Sequence, residues 1–234
     1  MLLSIILPTL NEAGNITKLV DDIELVLKKS GLTGELIIVD DDSEDGTAQI
    51  TRSLNKKYGN IRTLVRTVRD GAGAAHWFGY KNAKGDIIIA MEADNSCDAG
   101  DIPVIARKIS KGYDIVVASR YAKGASTNKS LANKAISRLG NAFISLISGI
   151  PINDFTIAYR GFRREIVNKI NCTEKDGNPL LMEFILKAKN AGYVKITEIP
   201  TNYRERQFGI SKNKLTRAVP RVFYACVRIV ITGK

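Results

Sequence analysis

Asp86-Ile87-Ile88-Ile89-Ala90-Met91-Glu92-Ala93-Asp94 is an apolar run that ends in two carboxylates. Consecutive apolar residues without alternation suit a strand buried on both faces, as in a mainly parallel sheet covered by helices. Working outward, the same unit recurs through the first 120 residues. Strands are expected at 3–7, 36–39, 61–65 and 115–118, with Pro8 ending the first. Between them, residues 15–29, 46–57, 74–83 and 102–110 are expected as helices. In 15–29 the apolar positions Ile16, Leu19, Val20, Ile23, Val26 and Leu27 follow the helical period. Alternating strands and helices predict an α/β, Rossmann-like architecture, a mainly parallel central sheet flanked by helices.

In open parallel sheets ligands bind at the carboxyl ends of the strands. Residues 8–12, 40–45, 92–98 and 119–121 therefore fall along one edge. Glu92 and Asp94 lie two apart just beyond a buried strand, an oxygen pair suited to a hard cation that bridges a diphosphate. The bland alternative is a solvated turn. Asp40-Asp41-Asp42-Ser43-Glu44-Asp45 offers carboxylate acceptors for a base N–H or ribose hydroxyls, with Ser43 or Asp45 free to cap the next helix. Glu12 is a further ribose candidate and Arg120 a phosphate candidate. Arg206-Gln207-Phe208-Gly209-Ile210-Ser211-Lys212 combines a glycine, a hydroxyl and two cations, able to close over phosphates or to form an exposed basic loop. His76, the single histidine, has no partner pattern and reads as structural. Gly71 and Gly73 complete no dinucleotide or P-loop fingerprint.

Past Tyr121 the pattern changes. Residues 123–129 form a Gly/Ser/Thr/Lys-rich loop, expected to be mobile, followed by a long helix at 131–148. A strand near 157–162, a helix near 180–190 and a strand at 194–199 come next. A basic amphipathic helix at about 214–231, bent or restarted by Pro220, ends the pattern. The 234 residues are expected to form a single domain of two halves, 1–121 and 122–234, the first carrying the ligand edge. Hydrophobic content of 44% and charged content of 25% fit a globular protein rather than a disordered one. Three separated cysteines make neither a disulfide framework nor a zinc pattern, which suits a reducing compartment.

The net charge of +11 points to an anionic partner: a phosphate-bearing substrate, an acidic membrane surface or a nucleic acid. Nucleic acid is set aside because the aromatics do not interleave with the basic residues on one face. No segment reaches the ~20 apolar residues of a spanning helix, and the short opening run lacks a basic leader. The expectation is a cytoplasmic protein, peripheral on the membrane.

Taken in order, the motifs resemble family 2 glycosyltransferases of the GT-A fold, especially polyprenyl-phosphate (dolichol-phosphate) mannosyltransferases. The matching residues are Ile6-Leu7-Pro8-Thr9-Leu10-Asn11-Glu12, Ile38-Val39-Asp40-Asp41-Asp42-Ser43-Glu44-Asp45-Gly46-Thr47, Gly85-Asp86, Glu92-Ala93-Asp94, Ala118-Ser119-Arg120-Tyr121, Asp154-Phe155-Thr156, Glu183 and 206–212. The resemblance implies a nucleoside pocket of Pro8, Leu10, Glu12, Val39 and Asp41, with Asp40 adjacent. It implies a metal, Mg2+ or Mn2+, on Asp94 with Glu92, Ala93 lying between them in the donor site. Arg120, Arg206, Ser211 and Lys212 would handle phosphates, with Asp94, Arg120 and Arg206 catalytic and Ser211 on the acceptor side. The activity implied is inverting transfer of a hexose, mannose foremost, from a nucleotide sugar (GDP-mannose or UDP-glucose) to a polyprenyl phosphate. A membrane-anchoring subunit is a possible partner.

Five positions depart from the family pattern. Glu92 replaces an Asp, Ser96 a Gln, Asn133 an Arg, and Ile157-Ala158 a Ser-Gly pair. Lys134 and Arg138 lie close to Asn133 and are the acceptor-phosphate candidates. The lipid tail would follow residues 131–148 and 214–231, unless these simply pack on the sheet. Two other readings stand beside this one. One is a transferase with a sugar-hydroxyl acceptor, needing a base such as Asp154. The other is a nucleotide-sugar-binding regulatory subunit that has lost catalysis.

Overall fold

A computed structural model describes residues 1–128, 130–204 and 215–232. Nine strands and eight α-helices run through the described residues. β1 (Leu2–Thr9), β2 (Thr33–Asp40), β3 (Ile61–Val65), β4 (Ile87–Ala90) and β5 (Ile115–Ser119) alternate with α1 (Ala13–Ser30), α2 (Thr47–Tyr58), α3 (Ala72–Asn82) and α4 (Ile102–Ser110). β6 (Ser126–Thr127) precedes α5 (Leu131–Ser148). Next come β7 (Arg160–Arg163), α6 (Glu165–Lys169), α7 (Gly177–Asn190), β8 (Ile196–Pro200), β9 (Asn202–Tyr203) and α8 (Leu215–Thr232).

The main sheet has the order β3-β2-β1-β4-β7-β5-β8. All neighbours are parallel except β7, which runs antiparallel between β4 and β5. The parallel strands end at one edge. β7 begins there, so the residues leading into it also reach that edge. Ile5, Ile38, Ile89 and Val117 are fully buried, as continuous apolar strands require when both faces are covered.

Pro8 does not end β1, which continues to Thr9. Pairing of β1 with β4 stops at Ile6 opposite Ala90, while pairing with β2 continues through Pro8 and Thr9. The Ile6 carbonyl faces Met91, so Pro8, two residues on, turns its missing N–H to the side where β4 has already finished. The strand near 157–162 forms later than its apolar pattern suggests. Within 123–129 the chain makes the two-residue β6, paired with β9, and Lys129 lies outside the described residues.

At the opposite, amino-terminal edge a buried polar knot fixes strand register. Ser4 donates to Glu35 at 2.6 Å and accepts from the Gly85 N–H at 2.8 Å; Glu35 also takes the Lys84 N–H and the Arg62 guanidinium. A β-carbon on Gly85 would come within 2.7 Å of the β1 backbone, which explains glycine there. Gly161 in β7 plays the same part beneath α4, where a β-carbon would meet Ile105 at 2.2 Å.

Candidate active site

The loops after β1 and β2 are sewn together before any ligand enters. Asp40 accepts from Thr9 Oγ1 (2.8 Å), Ser43 N (2.9 Å) and Ser43 Oγ (2.6 Å). Ser43 Oγ in turn takes the Asn11 N–H, and Asn11 Oδ1 takes the Glu44 N–H. Asp45 accepts from Thr47 N in the first turn of α2 and from Ala13 N in the first turn of α1. One carboxylate thus serves two helix starts, where an N-cap of α2 alone was expected; Gly46 occupies that N-cap. Burial pushes Asp45 up, but the Thr47 and Ala13 hydrogen bonds outweigh it and hold the carboxyl below its ordinary value.

Among the described residues Asn11, Asp42 and Asn95 are the non-glycine residues with positive φ, at 60°, 56° and 61°. They sit beyond β1, β2 and β4, at the ligand edge. Short side chains that bond locally tolerate this region, and such backbone gathers at functional sites.

Asp41 contrasts with its neighbour. It is buried, yet its Oδ1 has no hydrogen bond among the described residues; its close partner is Arg66 Nε at 3.2 Å. Burial raises the Asp41 carboxyl to about 6, against the pull of Arg66. Around it, Glu12 accepts from Asn15 Nδ2 at 2.6 Å, and Pro8 and Leu10 are half-buried. Val39 is fully buried and its side chain packs toward Gly79 of α3.

At the end of β4, Ala93 and Asp94 are buried beside the half-buried Glu92. Asp94 Oδ1 accepts from Ser96 N at 3.0 Å and Ser96 Oγ at 2.5 Å. Glu92 accepts from the Cys97 thiol at 2.9 Å and from Ala158 N at 3.3 Å. Burial and then the Asp94 charge raise the Glu92 carboxyl. Among the described residues no three His, Cys, Asp or Glu side chains converge into a metal cage. A magnesium-type ion needs no such cage, since one or two carboxylates and substrate phosphates hold it. Asp94 with the Ser96 hydroxyl is a donor set of that hard-oxygen kind, and a cation there would relieve the Glu92–Asp94 repulsion. Glu92 itself is turned to Cys97 and Ala158.

Arg120 and Asp154, 34 residues apart, form a buried fork. Nε donates to Oδ2 at 2.7 Å, Nη2 to Oδ1 at 2.8 Å and to Thr156 at 3.1 Å. Burial alone would lower the guanidinium, but Asp154 more than offsets it and the group stays above its usual value. The Arg120 guanidinium lies 5.5 Å from the Tyr121 ring and 5.4 Å from the Tyr203 ring. Arg138 of α5 lies 5.8 Å from the Tyr121 ring. A stack of cations and rings therefore leads from the sheet edge to α5. Lys134, one turn earlier, is half-buried. Arg206, Ser211 and Lys212 lie outside the described residues.

Arg66 and Tyr203 also belong to this edge, though the sequence did not single them out for it, and Asn95 and Ser96 lie there within the expected 92–98 stretch. Asn95 donates to the Asn15 carbonyl at 3.1 Å, and the Arg204 N–H donates to the Ser96 carbonyl at 2.9 Å. The available signal was the short polar residue after each strand, which marks a left-handed turn. His76 is buried and pushed down to about 3 by burial and then by Arg160, so it stays neutral. All three cysteines are buried and unpaired.

Residues 4–170 match the model of glycosyl transferase family 2. The chain belongs to that family. It is 34% identical over 218 residues to the dolichol-phosphate mannosyltransferase of Pyrococcus furiosus, covering 92% of this chain and 60% of that one. It is 27% identical over 215 residues to the polyprenol monophosphomannose synthase of Mycolicibacterium smegmatis, covering 89% and 79%. The family 2 chain thus spans 60% of the length of its Pyrococcus relative. Its fold is similar to that of Mycobacterium tuberculosis glucosyl-3-phosphoglycerate synthase, crystallised with Mn2+, uridine-diphosphate-glucose and phosphoglyceric acid. The TM-score is 0.69 at 18% identity, covering 96% of this chain and 79% of that one.

Proposed function

We propose that this family 2 chain is a metal-dependent, inverting hexosyltransferase that moves mannose from a nucleotide sugar to a polyprenyl phosphate. The observation that carries the reading is the arrangement of Asp41, Asp94 and Arg120 along one sheet edge. Asp41 follows β2 and Asp94 follows β4, two strands away, roughly 10 Å at ordinary strand spacing. That separation matches a nucleoside with its base on Asp41 and its phosphates near Asp94. The names of the two relatives support mannose and a polyprenyl phosphate as the transferred group and acceptor.

In this reading Asp94, with the Ser96 hydroxyl, holds Mg2+ or Mn2+, and Glu92 supports the turn from behind. The metal supplies electrophilic help by neutralising charge on the departing nucleoside diphosphate. Arg120 is locked by Asp154 through Nε and Nη2, so a pre-oriented cation meets the phosphates without reorganisation. Arg138 and Lys134 receive the acceptor phosphate from α5. A phosphate monoester is already anionic and needs no strong base; the protein's task is to bring two anions together in line. Asp154, with both oxygens on Arg120, is poorly placed to serve as base for a sugar hydroxyl.

No helix among the described residues is long and apolar enough to cross a membrane. α5 exposes Leu131, Leu139 and Leu146, and Phe143 stacks on Phe223 of α8 at 4.9 Å. These apolar side chains support peripheral contact at the cytoplasmic membrane face, where the lipid acceptor resides, with or without an anchoring subunit.

The test is transfer from GDP-mannose, UDP-glucose or UDP-N-acetylglucosamine to a short polyprenyl phosphate with Mg2+ or Mn2+. Mannolipid from GDP-mannose is expected, with Asp94→Ala abolishing it. No lipid product from any donor sinks the proposal. Donor binding without turnover selects the regulatory-subunit reading.

A further inference from the structure

Buried carboxylates in folded proteins are normally hydrogen-bonded, because an unsatisfied one loses its water without replacement. Asp40 obeys this rule with three donors, and Asp41 does not. Asp41 Oδ1 and Arg66 Nη1 are both buried without a hydrogen bond, side by side, although Arg66 Nε lies 3.2 Å from Oδ1. Both side chains are more than nine-tenths buried.

Arg66 itself is firmly held. Its N–H donates to the Asp40 carbonyl at 2.8 Å, and Nη2 donates to the Val68 carbonyl at 2.8 Å and to Asp70. It therefore ties the end of β2 to the chain that leaves β3. Arg69, next along, uses its own guanidinium on the Asp41 and Asp42 carbonyls and on Glu44, so it is not the partner of the Asp41 carboxylate.

We propose that Arg66 is a positioning residue for Asp41, fixing its carboxylate as the ionised acceptor of an N–H from the nucleobase of the donor. Asp41 supplies the acceptor, so the complementary ligand group is an N–H, as on guanine or uracil. Arg66 need not touch the ligand; it acts by orienting Asp41 and keeping it charged. The inference rests on the reading of Asp41 as a base ligand and adds the residue that makes it work.

Burial pushes the Asp41 carboxyl up to about 6, with Arg66 and Arg69 around it as cations and Asp70 and Asp40 as acids. The carboxylate accepts an N–H more strongly than the protonated acid does, so nucleotide affinity rises as pH climbs through about 6 and then levels. Removing the Arg66 charge takes away an influence that lowers this value, so the midpoint moves up.

Calorimetric titration of GDP and of UDP, each with Mg2+, into the full chain tests this between about pH 5 and 8. Arg66→Met is expected to weaken the tighter nucleotide about tenfold near pH 5, the effect of moving one ionisation by about one unit at a pH below both midpoints, and about twofold at neutral pH. Its pH midpoint should also rise. Arg66→Lys, which keeps the charge but not the fork, should restore the midpoint and leave affinity reduced. If Arg66→Met matches the wild type in affinity and midpoint, the positioning role is overturned while the base site stands. If the wild type binds neither nucleotide, both fall together. Should Arg66→Met fail to fold, Arg66→Lys decides: undiminished affinity overturns the role.

Discussion

In the proposed function the loops after β1 and β2 and the helix α5 each take one substrate, and they are built in opposite ways. In the loops nearly every polar group has a partner inside the protein: Asp40 on Thr9 and Ser43, Asp45 on two helix starts, Asn11 on Glu44. On α5 the side chains of Leu131, Leu139 and Leu146 are 85%, 72% and 81% exposed, with nothing described against them. A small, rigid nucleotide rewards a surface fixed in advance, because no ordering is then left for the moment of binding. A long flexible lipid rewards an apolar face that is left open. Between the two stands the Arg120–Asp154 fork, as buried as the core and, in the proposed function, directed at the phosphates.

The sharpest way to break this contrast is to remove one half of the fork. Asp154→Ala strands a buried guanidinium and is expected to cost about 3–5 kcal/mol, read by denaturant unfolding. An effect under about 1 kcal/mol would mean that Arg120 finds water or another partner when released. Next comes Asp45→Ala, expected to cost about 1 kcal/mol through two helix starts. Its carboxyl is held below the ordinary 3.8, so the stabilisation is complete above that pH and is lost as pH falls through the lowered value. Unfolding curves of wild type and variant should therefore converge under acid and separate near neutrality.

The smallest effect on stability is expected on α5. Leu139→Glu or Leu146→Glu should change unfolding by under about 0.5 kcal/mol, since each side chain already faces solvent. Flotation with anionic liposomes should nonetheless fall for both, and wild-type binding should weaken with salt. Liposome binding unchanged by either substitution would leave α5 as an ordinary surface helix.

The first half of the chain was legible because period alone decides it. Continuous apolar runs gave β1 to β5, and 3.6-residue spacing gave α1, α2 and α4 nearly to the residue. Strand-end carboxylates were legible as a class, for parallel strands must deliver their ends to one edge. Which of them does what was not. Asp40 and Asp41 are adjacent and chemically identical, and only tertiary contacts make one saturated and the other unsatisfied. Asp154 resembled a base until Arg120 was found on it, a pairing that local spacing cannot reveal. β7 was displaced for a related reason: it begins with Arg160, a fully buried cation whose guanidinium is satisfied by the carbonyls of Phe155, Ile157 and Leu181. An apolar window cannot anticipate a strand that starts on arginine. β6 and β9, two residues each, carry too little pattern to be seen.

The antiparallel β7 has a consequence for how the molecule is made. β4 and β5 are only 24 residues apart in the chain, yet each pairs with β7 rather than with the other. On the ribosome both strands emerge well before residues 160–163 and must wait with open edges until α5 has also been synthesised. Unpaired edges recruit other chains, so chains that have exposed β5 but not yet β7 are the species most prone to aggregate, and the wedge strand is the piece whose arrival ends that risk.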